Sequence, residues 1–303
     1  MADCKNMIIL SDKSSGSSAC QNLLSEFADI RHVAQTRHFE NETLYWTKAA
    51  STLGRPQQKM VDSEVPIPME KARSELIQLL RENLTGFEAP SDDEALVMEG
   101  WRQLCKQHSP IFIEKSPHHL CQWSALELIV DATEKIDDVD FLLIGLIRNP
   151  LETIHSQYRR WKSPCEKVER QWRTAYKNLL RLKAETDLPI VIVRYEDMVS
   201  SIESLRPVFD FCQAEPTASM AHRLHQDSLK TARKDPGFGF VLKEETRKLA
   251  EEYGYGREET ANESTWLWPV LSRSSRWVHK ARRLTRRLTR SALVRVGILN
   301  RPA

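Results

Sequence analysis

The chain has 303 residues, 41% of them hydrophobic and 28% charged, with a formal net charge of +2 at pH 7. This length suffices for one large core, and no apolar run approaches the ~20 residues of a membrane-spanning helix. Six cysteines without Cys-x-x-Cys spacing, together with an N-terminus that lacks signal-peptide features, argue against a disulfide framework and lead us to expect a cytoplasmic protein.

The first predicted strand covers roughly residues 7–11, and the first helix covers residues 17–29. The loop between them is Lys13-Ser14-Ser15-Gly16-Ser17-Ser18. Free N–H groups and the positive dipole end of the helix favour a phosphate or sulfate there, and Lys13 adds a full charge. In the common nucleotide P-loop a Gly-Lys-Ser/Thr closes the loop and its hydroxyl binds magnesium, whereas here the lysine comes first. The order predicts an anion cradle that needs no metal, and a plain polar turn is the alternative.

A middle region without strands follows. A second helix is predicted from about Glu42 to Leu53, with Gly54 as its C-terminal cap. Residues 55–68 contain three prolines and show little periodicity, which predicts an extended loop. Amphipathic helices are expected near 69–83 and 92–107 because apolar residues recur there at helical spacing.

The remaining elements alternate between strands and helices. They are a strand at 111–114, a helix from about His118 to Lys135, strands at 140–147 and 189–194, and between those strands a helical stretch over 151–185 broken near Pro164. This alternation predicts an α/β fold in which a parallel sheet carries helices on both faces. In such a sheet ligands bind beyond the carboxyl ends of the strands.

The strand at 140–147 ends in a second candidate anion motif. It is apolar on both faces and leads into Arg148-Asn149-Pro150, where Pro150 suits the first position of a helix. Arg148 at the strand end and Ser156 about two turns into the helix could grip one phosphate through a guanidinium fork and a hydroxyl. A solvated arginine and an ordinary helix serine are the alternative interpretation.

Together these motifs resemble the sulfotransferases that use PAPS (3′-phosphoadenosine 5′-phosphosulfate). That family has a lysine-led strand–loop–helix and a strand ending in Arg with a Ser eight residues later, which is the spacing of Arg148 and Ser156. Lys115-Ser116-Pro117 and Arg194-Tyr195-Glu196-Asp197 resemble two further family segments. The resemblance spans residues 7 to about 198. It implies a three-layer, P-loop-NTPase-like fold that uses PAPS as sulfate donor, releases PAP (3′,5′-adenosine bisphosphate) and needs no metal.

The resemblance and the chemistry of sulfuryl transfer give these residues predicted roles. Several residues are expected to bind PAPS. Lys13 would contact the leaving oxygen, and residues Ser14 through Ser18 would bind the 5′-phosphate. Arg148 and Ser156 would bind the 3′-phosphate, and Tyr195 would lie against the adenine. Lys115 would face the sulfuryl oxygens. Arg233-Lys234, ahead of a glycine-containing segment, partly matches the basic loop that closes over the 3′-phosphate. Each of these side chains could instead be an ordinary surface or core residue.

The general base that removes the acceptor's proton is normally a His or a Glu. One family branch places a His two residues after the lysine of its Lys-Thr-His strand end, where this chain has Pro117 followed by His118. Another branch uses a Glu in a Glu-x-His-Phe-Phe segment, where this chain has Thr36 in the Glu position but keeps His38. His38 is therefore the first candidate, followed by His118 and Glu40.

The C-terminal part of the chain is strongly basic, since residues 273–303 contain ten Lys/Arg and no acidic residue. Apolar residues recur there at three- and four-residue steps, which is typical of a basic amphipathic helix that lies on an anionic membrane surface, here through residues 273–295. The alternatives are a helix docked on the domain and a polyanion-binding segment. Nucleic acid is disfavoured because no aromatic platform accompanies the charge. We expect a catalytic domain over residues 1–260 and a basic helical tail over 261–303.

The sequence thus predicts a PAPS-dependent sulfotransferase that acts on a hydroxyl or amine of a small-molecule, glycan or lipid-linked acceptor. Two alternatives stay open. A P-loop-type small-molecule kinase would need magnesium and the missing Gly-Lys-Ser/Thr cradle. A non-enzymatic adaptor would bind membranes or polyanions through its basic tail. Under either reading, contact of this tail with a membrane would make the cytoplasmic protein membrane-associated.

Overall fold

The structure, a computed structural model, describes residues 4–217, 220, 229–263 and 268. The predicted basic helix over residues 273–295 lies outside this part of the chain. Five strands form one sheet: β1 (Lys5–Leu10), β2 (Ile30–Arg31), β3 (Ile111–Lys115), β4 (Asp140–Ile147) and β5 (Ile190–Arg194). All strand pairs are parallel, in the order β2-β3-β1-β4-β5.

The central strands β1 and β4 are apolar from Met7 to Leu10 and from Phe141 to Ile147, because both faces of the sheet are covered there. In β1, Met7 and Ile9 belong to the core on one face, while Ile8 and Leu10 belong to the core on the other. All four side chains are fully buried. The register places Met7 between a residue of β3 and a residue of β4, so β1 is the centre of the sheet.

Helices cover both faces of the sheet. Up to residue 212 the α-helices are α1 (Ser17–Leu24), α2 (Tyr45–Thr52), α3 (Met69–Asn83), α4 (Asp93–Gln107), α5 (Trp123–Lys135), α6 (Pro150–Trp161), α7 (Cys165–Glu185), α8 (Tyr195–Ser200) and α9 (Arg206–Cys212). Helices α2 to α5 and α7 pack on one face, and α1, α8 and α9 pack on the other. The three layers confirm the predicted α/β fold. Two short helices follow, Glu244–Glu251 and Arg257–Thr260. No helix among the described residues is long and apolar enough to cross a membrane.

Two predicted helices are shorter than expected. Helix α1 ends at Leu24 instead of near residue 29. Helix α2 begins only at Tyr45, because Glu40, Asn41 and Leu44 have positive φ angles of 56°, 58° and 53°. A right-handed helix cannot continue through residues in that region.

Other helix ends follow their local signals. Gly54, at a φ of 67°, ends α2 as predicted. The break near Pro164 is confirmed, since Lys162 adopts a φ of 56° and α7 begins directly after the proline. The predicted helix over 118–135 is instead split into a 3-10 helix, His119–Cys121, and α5.

The loops that follow β1, β3, β4 and β5 all leave the sheet at its carboxyl edge. The order in which the chain adds strands reverses at β1, because β2 and β3 lie on one side of β1 whereas β4 and β5 lie on the other. Such a switch point is the usual ligand crevice of an open α/β sheet. The fold therefore brings the two candidate anion motifs, after β1 and after β4, to neighbouring positions.

Candidate active site at the carboxyl edge of the sheet

A cavity of about 510 Å³ lies at this edge, where β1 ends. Its walls include these predicted site residues: Lys13, Ser14, Gly16, Ser17, Ser18, His38, Glu40, His118, Arg148 and Ser156. The two anion motifs therefore meet at one cavity. The predicted residues outside its walls are Ser15, Lys115, Tyr195, Arg233 and Lys234. All the predicted roles stay predictions.

The loop after β1 is a tight turn that presents the start of α1 to the cavity. Ser14 and Gly16 have φ angles of 63° and 91°, and the Ser15 amide donates to the Asp12 carbonyl at 3.3 Å. Helix α1 begins at Ser17, so its first amides have no carbonyl within the helix to bind. These amides and the helix dipole make this end of α1 suitable for an anion.

Gly16 is required both for its backbone conformation and for the space in front of it. A Cβ there would lie 2.2 Å from Cδ2 of Tyr195. We therefore expect Gly16→Ala to lower the free energy of unfolding by about 2–4 kcal/mol, as measured by urea denaturation. Gly86→Ala is the matched control, because Gly86 has a φ of 70° but nothing within 4 Å of its Cβ position. That variant should lose only about 1 kcal/mol. Equal losses in the two variants would contradict a role for the Tyr195 contact.

The side chain of Lys13 is held at the cavity by backbone carbonyls. Its Nζ donates to the carbonyl oxygens of Val61 at 3.0 Å and Asp62 at 2.8 Å. Both belong to the predicted loop over residues 55–68, which therefore folds over the cradle. Burial lowers the pKa of Lys13 from its ordinary value, and nearby carboxylates oppose this effect. The lysine is thus a largely desolvated donor, and ligand oxygens can replace its two carbonyl partners.

The second motif holds the first one in place. Nη1 of Arg148 donates to the Ser14 carbonyl at 3.0 Å, and its guanidinium lies 4.8 Å from the ring centre of Tyr195. Nε2 of Gln157, on α6, donates to the Lys13 carbonyl at 2.9 Å. Direct contacts between the two strand–helix junctions therefore fix the cradle relative to the start of α6.

Two residues that are predicted to bind the sulfate donor lie behind the Lys13–Ser18 loop. The hydroxyl of Ser15 is buried and lies 3.0 Å from Oη of Tyr176, which donates its proton to the Leu146 carbonyl at 3.0 Å. Because the tyrosine proton is used there, Ser15 donates to Tyr176. Tyr195 packs against Gly16, as the 2.2 Å approach of its ring to the Cβ position indicates. Both residues therefore shape the loop from behind.

At the end of β3, Lys115 and His118 flank the carboxylate of Glu42. Nζ of Lys115 lies 3.6 Å from Oε1 of Glu42 and donates to the Glu40 carbonyl at 2.8 Å. Nδ1 of His118 lies 3.8 Å from Oε2 of Glu42. Lys115 is fully buried, whereas Glu42 and His118 line the cavity. The cavity wall therefore presents a carboxylate that lies between a buried ammonium group and an imidazole.

A buried acid–imidazole pair supports this arrangement. Oε1 of Glu114 accepts hydrogen bonds from the hydroxyls of Thr43 at 2.6 Å and Ser116 at 2.5 Å, and its Oε2 lies 3.4 Å from Nε2 of His119. Burial alone would raise the pKa of Glu114, but His119 and the two hydroxyls outweigh it and leave that pKa lowered. The carboxylate thus joins the segment before α2 to the turn after β3.

Burial shifts the pKa values of the carboxylate and the two imidazoles at the cavity in opposite directions. It raises the pKa of Glu42 from its ordinary value, and Lys115 opposes the shift. It lowers the pKa of His118 well below its ordinary value, and it also lowers the pKa of His38. The imidazoles are therefore neutral but weakened as bases, whereas the carboxylate becomes a stronger base.

A cluster of side chains carries atoms of the kind that coordinate metal ions. These atoms belong to His38, Glu64 and Glu75 and all lie within 4.8 Å of one another. Two lysines are already paired with these carboxylates. Nζ of Lys48 lies 3.4 Å from Oε2 of Glu75, and Lys71 pairs with both Glu64 and Glu75. The negative charge of the cluster is therefore balanced by ammonium groups.

The predicted basic loop lies against α6. Glu152 accepts hydrogen bonds from the amides of Thr231 at 2.9 Å and Ala232 at 3.1 Å. Arg233 and Lys234 follow directly and are exposed. The turn is thus anchored one helical turn from Arg148, while its basic side chains extend into solvent.

The structure adds cavity residues that the sequence does not single out. Glu42, Asp62, Glu64 and Trp161 line the cavity together with the predicted residues. The sequence signal for Glu42 is its position two residues after Glu40, a candidate base. The loop residues have no such signal, because only the tertiary fold brings them over the cradle.

Comparisons with known proteins concern the family and the fold of the chain. A family model described as "Sulfotransferase family" matches residues 7–218. The sulfotransferase domain of the Synechococcus PCC 7002 olefin synthase is similar in fold, with a TM-score of 0.50 and 19% identity over 84% of this chain and 97% of that chain. A sulfotransferase from Alicyclobacillus acidocaldarius gives a TM-score of 0.42 and 14% identity over 82% of this chain and 90% of that one. Sulfotransferase STF9 from Mycobacterium avium gives 0.40 and 13%, over 88% and 79%.

No curated protein sequence matches the chain significantly. The family match nevertheless extends from β1 to beyond α9, and it therefore includes both anion motifs and all five strands. The chain belongs to the sulfotransferase family.

Proposed function

We propose that the protein transfers a sulfuryl group from PAPS to a hydroxyl or amine of an acceptor. The observation that carries this proposal is the meeting of both anion motifs at one cavity of about 510 Å³. Lys13 and the start of α1 form one anion-binding part of the cavity wall. Arg148 and Ser156 form the other. Two anion sites joined by one cavity fit a nucleotide with phosphate groups on both its 3′ and its 5′ oxygens.

Bound PAPS supplies the activated sulfuryl group on its 5′-phosphate. Lys13 stabilises the negative charge that grows on the leaving oxygen, and the amides of the α1 start hold the phosphate. To do this, Nζ of Lys13 exchanges the Val61 and Asp62 carbonyls for donor oxygens. Lys115 supports the site from behind, because its ammonium group holds the Glu40 carbonyl and the Glu42 carboxylate.

The base that we favour is Glu42 rather than His38 or His118. Its carboxylate lies in the cavity wall, and burial strengthens it as a base. The same burial makes His118 a very weak base. His38 also lines the cavity, but its Nε2 lies 3.6 Å from Oε1 of Glu64, within the charged cluster that includes Glu75. In this arrangement Glu42 accepts the acceptor's proton as the acceptor oxygen attacks sulfur.

Binding of PAP tests the donor site without needing an acceptor. PAP should raise the melting temperature, because a ligand at 100 times its Kd stabilises the folded state by about 2.7 kcal/mol. The shift should be the same with excess EDTA, and 5′-AMP, which lacks the 3′-phosphate, should give a much smaller one. Ser156→Ala should reduce the difference between PAP and 5′-AMP.

Ser74→Ala is the matched control for this experiment, since Ser74 is exposed on α3 and lies outside the cavity. It should respond to PAP like the wild type. The absence of any thermal shift with PAP would contradict the proposed function. Magnesium-dependent turnover of ATP would instead favour a kinase.

A further inference from the structure

A second cavity, of about 460 Å³, lies beside the first. The loop over residues 55–68, the 3-10 helix His119–Cys121 and the start of α7 contribute its walls. Met60 and Cys121 give it a buried apolar floor. A cavity of this size accommodates a small organic molecule, and the proposed donor site makes no use of it.

A single stretch of backbone separates the two cavities. Asp62 lines both of them, and Val61 lines the second. The carbonyls of these same two residues accept the hydrogen bonds from Lys13. Arg148 and Ser156, the proposed ligands of the 3′-phosphate, line only the first cavity. The second cavity therefore adjoins the reacting end of the donor.

The second cavity carries an excess of positive charge. Lys59, Lys167 and Arg170 line it, and none of their side chains makes an ion pair or hydrogen bond within the described residues. Asp62 is the only acidic residue among its described lining residues. Helix α7 begins here directly after Pro164, whose side chain offers no acceptor to the first amides, and Glu166 is the acidic residue of its first turn. Free cations around an apolar floor favour an organic anion.

We propose that the second cavity binds the acceptor and that the acceptor is an organic anion, with an apolar body and a carboxylate or similar group besides its reacting hydroxyl. This rests on the proposed sulfuryl transfer. The anionic group lies at Lys167 and Arg170, and the hydroxyl reaches towards Lys13. The hydroxyl oxygen forms the new bond to sulfur and its proton goes to Glu42. The electron pair of the broken S–O bond leaves with PAP.

A matched pair of fluorescent probes tests the binding: the anion 8-anilino-1-naphthalenesulfonate and its uncharged parent, N-phenyl-1-naphthylamine. The full chain is titrated in saturating PAP, so that the first cavity is filled. We expect the double variant Lys167→Met/Arg170→Met to bind the sulfonate at least about tenfold more weakly than the wild type. Its affinity for the neutral probe should change less than about twofold, because the apolar floor is intact.

Lys177→Met is the control, since Lys177 is exposed on the same helix and lies outside both cavities. It should bind both probes like the wild type. The proposal is overturned if the wild type does not bind the sulfonate, or if the double variant and the control behave alike.

The acceptor class is tested by product analysis. The wild type is incubated with PAPS and equimolar 4-hydroxyphenylacetate, 4-hydroxyphenylacetamide and tyramine, and sulfated products are measured by mass spectrometry. The acid should dominate, and its advantage should shrink in the Lys167→Met/Arg170→Met variant. Dominance of the amide or amine, or the absence of every sulfated product, overturns the acceptor assignment. The proposed function fails separately, through loss of the PAP-dependent stabilisation.

Discussion

Replacing Lys13 with methionine should lower the turnover of sulfuryl transfer by about two to three orders of magnitude, the loss expected for one donor to a developing anion. Methionine keeps the aliphatic bulk but removes the charge that stabilises the leaving oxygen. The effect should appear in kcat more than in the affinity for PAP, because that negative charge develops only in the transition state. Steady-state kinetics with PAPS, together with PAP titrations, separate the two quantities.

Loss of folding has to be distinguished from loss of catalysis in this variant. Lys13 also donates to the carbonyls of Val61 and Asp62, and losing each hydrogen bond should lower the free energy of unfolding by about 1 kcal/mol. Circular dichroism and the melting temperature measure that loss. Lys177→Met, exposed on α7, serves as the control and should keep the wild-type rate. Turnover of Lys13→Met within about fivefold of wild type would contradict the role of Lys13.

The strands and several helices were predictable because their signals are local. The buried strand at 140–147 and helix α3 over 69–83 have the bounds that their apolar patterns indicate. Helix α2 starts later than predicted because non-glycine residues before it adopt positive φ, which composition does not reveal. Strand β2 has only Ile30 and Arg31, too short for any alternation to show.

The candidate site likewise contains some residues with a local sequence signal and others that only the tertiary fold brings to the cavity. The Lys13 loop and the pair Arg148 and Ser156 each lie at a strand–helix junction, so the sequence locates them and the sheet order brings them together. Glu42 and Asp62 reach the cavity from segments without regular periodicity, whose paths depend on contacts with residues far along the chain. The hydrogen bonds from Lys13 to the loop are one example, and they were not predictable from either segment alone.

The general base can be identified with the variant Glu42→Gln. We expect kcat/KM to fall by about 10² to 10⁴-fold, the usual contribution of a positioned general base. Glutamine has the size of glutamate and can still accept hydrogen bonds, but it cannot take up the acceptor's proton. The neighbours Lys115 and His118 stay in place, so PAP should stabilise this variant about as well as it stabilises the wild type.

The pH dependence distinguishes a base from a merely structural carboxylate. A carboxylate base works only when deprotonated, so kcat/KM should fall as the pH drops through the pKa of Glu42. Because burial raises that pKa, the acid limb should lie at a higher pH than an ordinary glutamate would give. Glu42→Gln should lose this limb together with the rate, whereas the control Glu88→Gln, in an exposed segment outside the cavity, should keep both. If His38→Gln removes the limb and Glu42→Gln does not, the base is His38, and its neutral imidazole takes the proton.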